Sequence, residues 1–430
     1  MLNANKTADG AIRLSQCMIV KNEEMNIERA LSWAKGIAFE QIVVDTGSTD
    51  RTVEIAGHLG AKVFHFKWAD DFSTAKNYAI EQSSGDWIAF LDADEYMSAD
   101  HARLIIPLIE KYINLYGNKV VALTTKWIQL NDDGNIVSVN RQERIFINHS
   151  GVRYERSIHE TLKIPSGTFP VSENDIIIMH TGYSQSVHTS TRKLERNISL
   201  LKKALKSDPE DVKSKFYLAE SLFGTGNTAE AIPLYREVLN ETVNKKGAYE
   251  LLRIRAFYYL VHSLNNTNAF DEAYALTEQA FHEFPDHINI CCLYGAAMYS
   301  RGQFENALNT FKKAEKLIED GKVENQLLDN VDSLYKYLAQ TYTKLNNLIA
   351  ALHYTAAYLL SHKEDEDVLK LYINILRSKE SPENTANFLS KIYDYKNIHD
   401  KMLLLRCAKD IGDIALAKLF IKKIAPEELR

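Results

Sequence analysis

The chain has 430 residues with a net charge of -6, which argues against a general nucleic-acid binder. Its 45% hydrophobic and 25% charged residues are those of an ordinary globular protein, while 18 Gly and 8 Pro exclude collagen-like and Pro-rich architectures. A chain of this length suggests two or three domains, with core enough to need no disulfide or structural metal. Cys17, Cys291, Cys292 and Cys407 fit neither a disulfide framework nor a zinc site and read as reduced core thiols. The segment from Met1 to Gly10 is polar, without the apolar core of a signal peptide. No stretch approaches the roughly 18 apolar residues of a membrane span. A cytoplasmic protein is the expectation.

In chain order, β-rich runs at Leu14–Val20, Gln41–Asp45, Lys62–Phe66 and Trp87–Leu91 alternate with helical patterns at Glu24–Ala38, Thr49–Leu59 and Phe72–Gln82. That alternation predicts right-handed βαβ units and a mostly parallel sheet. The strands run into polar clusters at Lys21-Asn22-Glu23-Glu24, Asp45-Thr46-Gly47-Ser48 and Asp92-Ala93-Asp94-Glu95. Open α/β sheets bind ligands at that edge, so the carboxylates collect where a ligand belongs. A further apolar strand, Ile176-Ile177-Ile178-Met179, ends at His180.

From about Thr191 the strands stop and helical patterns follow one another. Ala273 and Ala307 open matching segments 34 residues apart, the tetratricopeptide period. Ala231 and Ala351 fit the same template with longer connections around Asn240–Gly247 and Ile318–Asn330, and Leu404, Ala408 and Ala417 suit a last repeat. Small residues at these positions let paired helices approach closely, and stacked pairs form a superhelix. The expected division is 1–185 for the α/β catalytic domain and 186–430 for the helical repeats.

Two carboxylates such as Asp92 and Asp94, just past a buried strand, can share a divalent cation with a diphosphate. Alone, an Asp-x-Asp is common. Here it follows Met18-Ile19-Val20-Lys21-Asn22-Glu23-Glu24, then Val43-Val44-Asp45-Thr46-Gly47-Ser48-Thr49-Asp50, then Asp71-Phe72-Ser73-Thr74-Ala75-Lys76-Asn77, and sits in Phe90-Leu91-Asp92-Ala93-Asp94-Glu95. In that order and spacing the first 180 or so residues resemble family 2 glycosyltransferases with the GT-A nucleotide-diphospho-sugar transferase fold. No GxGxxG dinucleotide loop or Walker lysine motif competes.

The resemblance implies roles. Val20, Glu23 and Asp45 would hold the uridine of a UDP-sugar, and Lys76 would contact base or phosphate. Asp92 and Ala93 would face the ribose, with Asp92 also reaching the metal, and Asp94 would be the firm ligand of Mg²⁺ or Mn²⁺. His180 would be a third metal ligand, with a strand-end histidine bonded to backbone as its alternative. The pair His159-Glu160 resembles that of bacterial lipopolysaccharide-core glucosyltransferases. An inverting displacement needs one base, and Glu160 is the candidate beside His159; a purely structural pair is the competing reading. Glu23 could equally cap the next helix, Lys76 could sit on a solvated helix face, Asp50 suits a helix start, and Arg144 could reach phosphate or acceptor.

A family 2 domain followed by tetratricopeptide-like helices is similar to bacterial peptide S-glycosyltransferases of the sublancin (glycocin) type. It differs in opening its first strand at Leu14 without a longer helical lead. The resemblance implies a peptide or protein acceptor held by the repeats, glycosylated on Cys or on Ser/Thr. An acceptor in a cell-envelope glycan and an inactive repeat scaffold are the alternatives. Aromatics crowd the repeats, among them Phe216, Tyr217, Tyr235, Tyr259 and Tyr354, as helix packing or as an acceptor groove. Exposed terminal repeats suit pairing about a two-fold axis, so a homodimer is expected.

Overall fold

The computed structural model describes residues 11–130, 134, 136–181, 187–322 and 331–423. The expected domain boundary at 185/186, and the end of the connection Ile318–Asn330, lie outside the described residues. Two compact units divide the chain, Met1–Asn268 and Ala269–Arg430.

The first unit opens with β1 (Leu14–Val20), α1 (Ile27–Ser32), β2 (Glu40–Asp45), α2 (Thr52–His58), β3 (Lys62–His65), α3 (Phe72–Gln82) and β4 (Trp87–Phe90). It continues through β5 (Glu95–Tyr96), α4 (Ala99–Arg103), α5 (Ile105–Tyr116), β6 (Val120–Leu130), β7 (Ile136–Ile147), β8 (Arg153–Glu155), β9 (Thr161–Lys163) and β10 (Phe169–His180). Eight strands form one sheet in the order β3-β2-β1-β4-β7-β6-β10-β5, and β8 pairs with β9. The parallel part is the one expected, β3-β2-β1-β4. Beyond it the sheet is mixed, because the long hairpin β6–β7 pairs antiparallel to β4.

Local chemistry sets the element ends. The Trp-Ile-Ala-Phe run of β4 is buried on both faces, as a central strand must be. α3 starts where the Asp71 carboxylate accepts the Thr74 amide at 2.9 Å. α5 buries Ile105, Leu108, Ile109 and Tyr112, a single stripe at helical spacing. Two helices are shorter than their sequence patterns. α1 begins only at Ile27 because Asn22 turns left-handed (φ 57°) and the Glu23 carbonyl collects the Asn26 and Ile27 amides. α2 begins at Thr52, after Asp50 has accepted the Thr52 amide and hydroxyl.

Helices follow: α6 (Val187–Ser207), α7 (Val212–Gly224), α8 (Thr228–Glu241) and α9 (Ala248–Asn266) complete the first unit. The second unit holds α10 (Phe270–Glu283), α11 (Ile288–Ser300), α12 (Phe304–Glu319), α13 (Val331–Lys344), α14 (Leu348–Ser361), α15 (Glu366–Arg377), α16 (Pro382–Leu389), α17 (Ile398–Asp410) and α18 (Ile414–Lys423). The repeat alanines Ala231, Ala273, Ala307 and Ala351 are all buried in these helices, as are Leu404, Ala408 and Ala417. Gly295 on α11 shows why small residues recur: a Cβ there would lie 2.5 Å from the Phe311 ring of α12. Phe216, Tyr235 and Tyr354 are buried, which makes helix packing their main use. All four cysteines are free and buried. No described helix is long and apolar enough to cross a membrane.

Candidate functional site

A cavity of about 680 Å³ opens at the carboxyl ends of the central strands. Its size is that of a small-ligand site. Parallel pairing places the ends of β1, β2 and β4 on one edge, and β1 and β4 deliver Val20, Asp92, Ala93 and Asp94 to the wall. β5 pairs with the end of β10 in the register His180↔Glu95, which brings His180 beside the acidic motif. Glu160, just before β9, also lines the cavity.

Lys76 is the hub. It is 1% exposed, with its Nζ 3.0 Å from Asp92 Oδ1 and 2.5 Å from Glu160 Oε1, and it lies over the rings of Phe90 and Tyr154. A solvated helix face is thereby excluded for it. Arg144 reaches Asp92 Oδ2 at 3.1 Å and Glu95 Oε1 at 2.5 Å. Glu95 is buried and also accepts Trp127 Nε1 at 2.7 Å and the Asp92 amide at 2.9 Å. Burial alone would raise the Glu160 and Asp92 pKa values, but the Lys76 ammonium, joined at Asp92 by Arg144, outweighs it and holds both below the carboxylate range. For Glu95 burial prevails and its pKa is raised. Burial disfavours the Lys76 charge, yet Asp92 and Glu160 together keep that ammonium above its usual pKa.

Asp94 faces His180, Oδ2 to Nε2 at 3.3 Å, and the imidazole stacks on Trp127 at 4.5 Å. Its alternative as a strand-end residue bonded to backbone is not what the geometry shows. Its Nδ1 is buried without a partner among the described residues, as are Tyr154 Oη and His159 Nε2, and all three residues line the cavity. Buried polar atoms left unpaired on a cavity wall are what a ligand would satisfy. Among the described residues no three His, Cys, Asp or Glu side chains already converge on a metal position. Asp94 and His180 nonetheless supply an oxygen and a nitrogen donor side by side. That set fits a divalent cation completing its shell from diphosphate oxygens and water. Asp92, expected to share the ion, is occupied by Lys76 and Arg144.

Asp45 and the His159-Glu160 pair meet a geometry other than the expected one, whereas Glu23 lies on the cavity as expected. Asp45 does not line the cavity: its carboxylate accepts the Gly47 amide at 3.2 Å and the Ser48 amide at 3.0 Å. Burial works against its charge, but the Ser48 and Gly47 donors win and its pKa is lowered. The turn it braces, with Gly47 at φ 111°, hands Thr46 to the cavity instead. Glu23 lines the cavity, where burial raises its pKa; it accepts Asn26 Nδ2 at 2.9 Å and does not cap α1. His159 and Glu160 are adjacent in sequence but turned apart, with the imidazole stacked on Tyr217 of α7 at 3.7 Å and 11°. Burial lowers the His159 pKa. Gly182 and Tyr183, next to His180 in sequence, lie outside the described residues.

Sequence reasoning missed Glu95 and Trp127 as partners of the acidic motif and Lys193, Arg196 and Asn197 as cavity wall, which they form together with Tyr217, read as packing or groove. The last four come from α6 and α7, the first helices after the sheet.

A parallel-stranded α/β domain with an Asp-x-Asp at the ligand edge and an Asp–His donor pair beside it has the architecture of GT-A nucleotide-sugar transferases. Residues 15–158 match the family model Glycosyl transferase family 2. The chain is 29% identical over 319 residues to a TPR repeat-containing protein of Synechococcus elongatus, covering 70% of this chain and 75% of that one. It is 28% identical over 228 residues to the SPbeta prophage-derived glycosyltransferase SunS of Bacillus subtilis, 52% of each chain, so it spans about half of that relative. A solved glucosyl-3-phosphoglycerate synthase of Mycobacterium tuberculosis, in complex with Mn²⁺ and UDP, aligns over 28% of this chain at 24% identity with a TM-score of 0.24. The chain therefore carries a family 2 glycosyltransferase domain followed by tetratricopeptide-like helices.

Proposed function

We propose that the protein is an inverting, metal-dependent glycosyltransferase that moves a sugar from a UDP-sugar to a Cys, Ser or Thr side chain of a peptide or protein. The observation that carries this reading is the meeting of Asp94, His180, Asp92, Lys76 and Glu160 around one cavity. Val20, Glu23 and Thr46 form its nucleoside end. Asp94 and His180 would hold Mg²⁺ or Mn²⁺, which when bound offsets the charge gathering on the leaving UDP. Lys76 and Arg144 already serve Asp92, Glu95 and Glu160, whereas Asp94 meets only the imidazole of His180 among the described ion pairs, so a cation accompanying the diphosphate would settle on the Asp94–His180 side.

Glu160 would accept the proton of the acceptor S–H or O–H as that atom attacks the anomeric carbon. The bond from that carbon to the β-phosphate oxygen breaks, and its electron pair leaves with UDP. Lys76 keeps Glu160 ionised and ready to accept the proton. A peptide acceptor is favoured by the helical wall of the cavity, since Lys193, Arg196 and Tyr217 extend it toward the repeats of this unit. Titration of UDP into the full chain with Mn²⁺ or with chelator tests the metal assignment. The Asp94→Asn variant is expected to lose the Mn²⁺-dependent part of the affinity, and with it about a hundredfold in UDP release. Metal-dependent UDP binding retained in that variant overturns the assignment.

A further inference from the structure

Glu160 ends the connection 156–160 between β8 and β9, and that connection is strained. Arg156 (φ 82°) and His159 (φ 51°) both adopt the left-handed region that non-glycine residues avoid. Such conformations persist only where the surroundings over-determine them, and they cluster at functional sites. From one side α3 holds the segment: the Phe72 amide donates to the Ser157 carbonyl at 2.9 Å and the Ser73 hydroxyl to the Arg156 carbonyl. From the other side α7 holds it. The Arg156 guanidinium meets Asp211 at 2.9 Å and the Ser214 hydroxyl at 3.0 Å, and the His159 ring lies flat on Tyr217.

Asp211, Ser214 and Tyr217 are spaced three apart, so one face of α7 presents all three to the connection. Asp211 also caps α7, accepting the Lys213 amide at 3.1 Å and the Ser214 hydroxyl at 2.7 Å, so the helix start and the Arg156 anchor share one carboxylate. Behind that face Phe216 is fully buried against the rings of Tyr235 and Tyr259. The helix is thus a fixed wall rather than a passing contact.

We infer that α7 aims the base: Arg156, Asp211 and Tyr217 are positioning residues that hold the 156–160 connection in its strained form and so place the Glu160 carboxylate at the reacting centre. This rests on the reading of Glu160 as the base. It makes the first helices after the sheet part of the transfer apparatus. It also gives His159 a use, as the ring through which α7 grips the connection.

The test uses the full chain with Mn²⁺ and whichever of UDP-glucose, UDP-galactose and UDP-N-acetylglucosamine the native protein hydrolyses fastest, with water as acceptor. Tyr217→Ala is expected to lower kcat on the order of tenfold to a hundredfold, because a small misplacement of a reacting group costs that much. KM for the UDP-sugar stays within about threefold, since uniform binding is untouched. Tyr217→Phe, which keeps the ring, recovers most of kcat. His159→Ala gives the same loss from the other ring, and the double variant is no worse than the poorer single, as expected for two halves of one contact. Native kcat in Tyr217→Ala, equal damage in Tyr217→Phe, or additive losses in the double variant would each overturn the inference. Should Tyr217→Ala fail to fold by circular dichroism, His159→Ala carries the decision alone. Glu160→Gln separates the two readings. If it keeps kcat, the base assignment falls and the positioning role with it; if it is inactive while Tyr217→Ala is active, only the positioning role falls.

Discussion

Replacing Lys76 by Met removes one buried ammonium from between two carboxylates and leaves a side chain of similar length. At about 3 Å and an effective dielectric near 20, each pair is worth on the order of 5 kcal/mol before desolvation is counted. Asp92 is 33% exposed, so solvent screens its share, whereas Glu160 at 16% is better sheltered. Breaking a buried pair from one side typically costs about 3–5 kcal/mol, and the lower end, about 3 kcal/mol at pH 7, is expected here because Arg144 still serves Asp92. The pH dependence follows from the Glu160 pKa. In the native protein burial opposes the Glu160 charge but Lys76 overcomes it, so its folded pKa is depressed. The resulting stability is present above the unfolded value of about 4.3 and is lost as pH falls through the folded value. In Lys76→Met burial loses its main opponent and the folded pKa of Glu160 rises. The variant's deficit is then largest at neutral pH and shrinks as the solution is acidified toward pH 4. The acid limb of UDP release shifts upward in the same sense. Urea unfolding at several pH values, beside a pH–rate profile, measures both. A deficit under about 1 kcal/mol at pH 7, or one that grows on acidification, would refute the assignment of Lys76 as the shared counter-ion.

Two further changes probe the scaffold. Glu95→Gln leaves Arg144 with Asp92 alone and weakens the acceptor of Trp127 Nε1; urea unfolding should show a loss of about 2–4 kcal/mol, and native stability would mean that Glu95 is a bystander. Gly295→Ala gains about 1 kcal/mol of helix propensity but drives a methyl to 2.5 Å from the Phe311 ring, so calorimetry should record a Tm lower by about 2–4 °C. An unchanged or higher Tm would mean that the α11–α12 contact relaxes freely.

The parts of the fold that sequence patterning revealed are those decided within a few residues. The run of apolar residues in β4 has no other home than a central strand, and α3 begins and ends where its pattern does because Asp71 caps it locally. The 34-residue spacing of Ala273 and Ala307 survived because each is buried at the fourth position of its helix, α10 or α12. What patterning overstated was length. The Glu24–Ala38 pattern is helical over only Ile27–Ser32, since the acidic turn after β1 takes its first residues and Gly36 (φ 77°) its last. The hairpin β6–β7 interrupts the parallel order through pairings that local composition does not encode.

The site divides along the same physical line. Carboxylates at strand ends were legible because strand direction alone puts them on one edge. Lys76 was half legible: it shares a helix face with Ala79 and Ile80, three and four residues on, which is the buried face of α3. A lysine on such a face must have anionic partners, and that reasoning would have placed it inside. Its partner Glu160 could not be read the same way. Their meeting depends on β8, β9 and a connection with two left-handed residues. The Glu95–Arg144–Trp127 group is further still from any local signal, because it exists only through the registers of β4 with β7, β7 with β6, and β10 with β5. His159-Glu160 misled for a related reason. The left-handed backbone at His159 (φ 51°) turns the two neighbours to different partners, which residue order alone does not encode. One member faces the carboxylate cluster and the other faces α7. The composition change after β10 marks where strands end, but Lys193, Arg196, Asn197 and Tyr217 beyond it still build the cavity wall. A change of secondary structure is a local event, whereas a site boundary is drawn by whatever packs around the ligand.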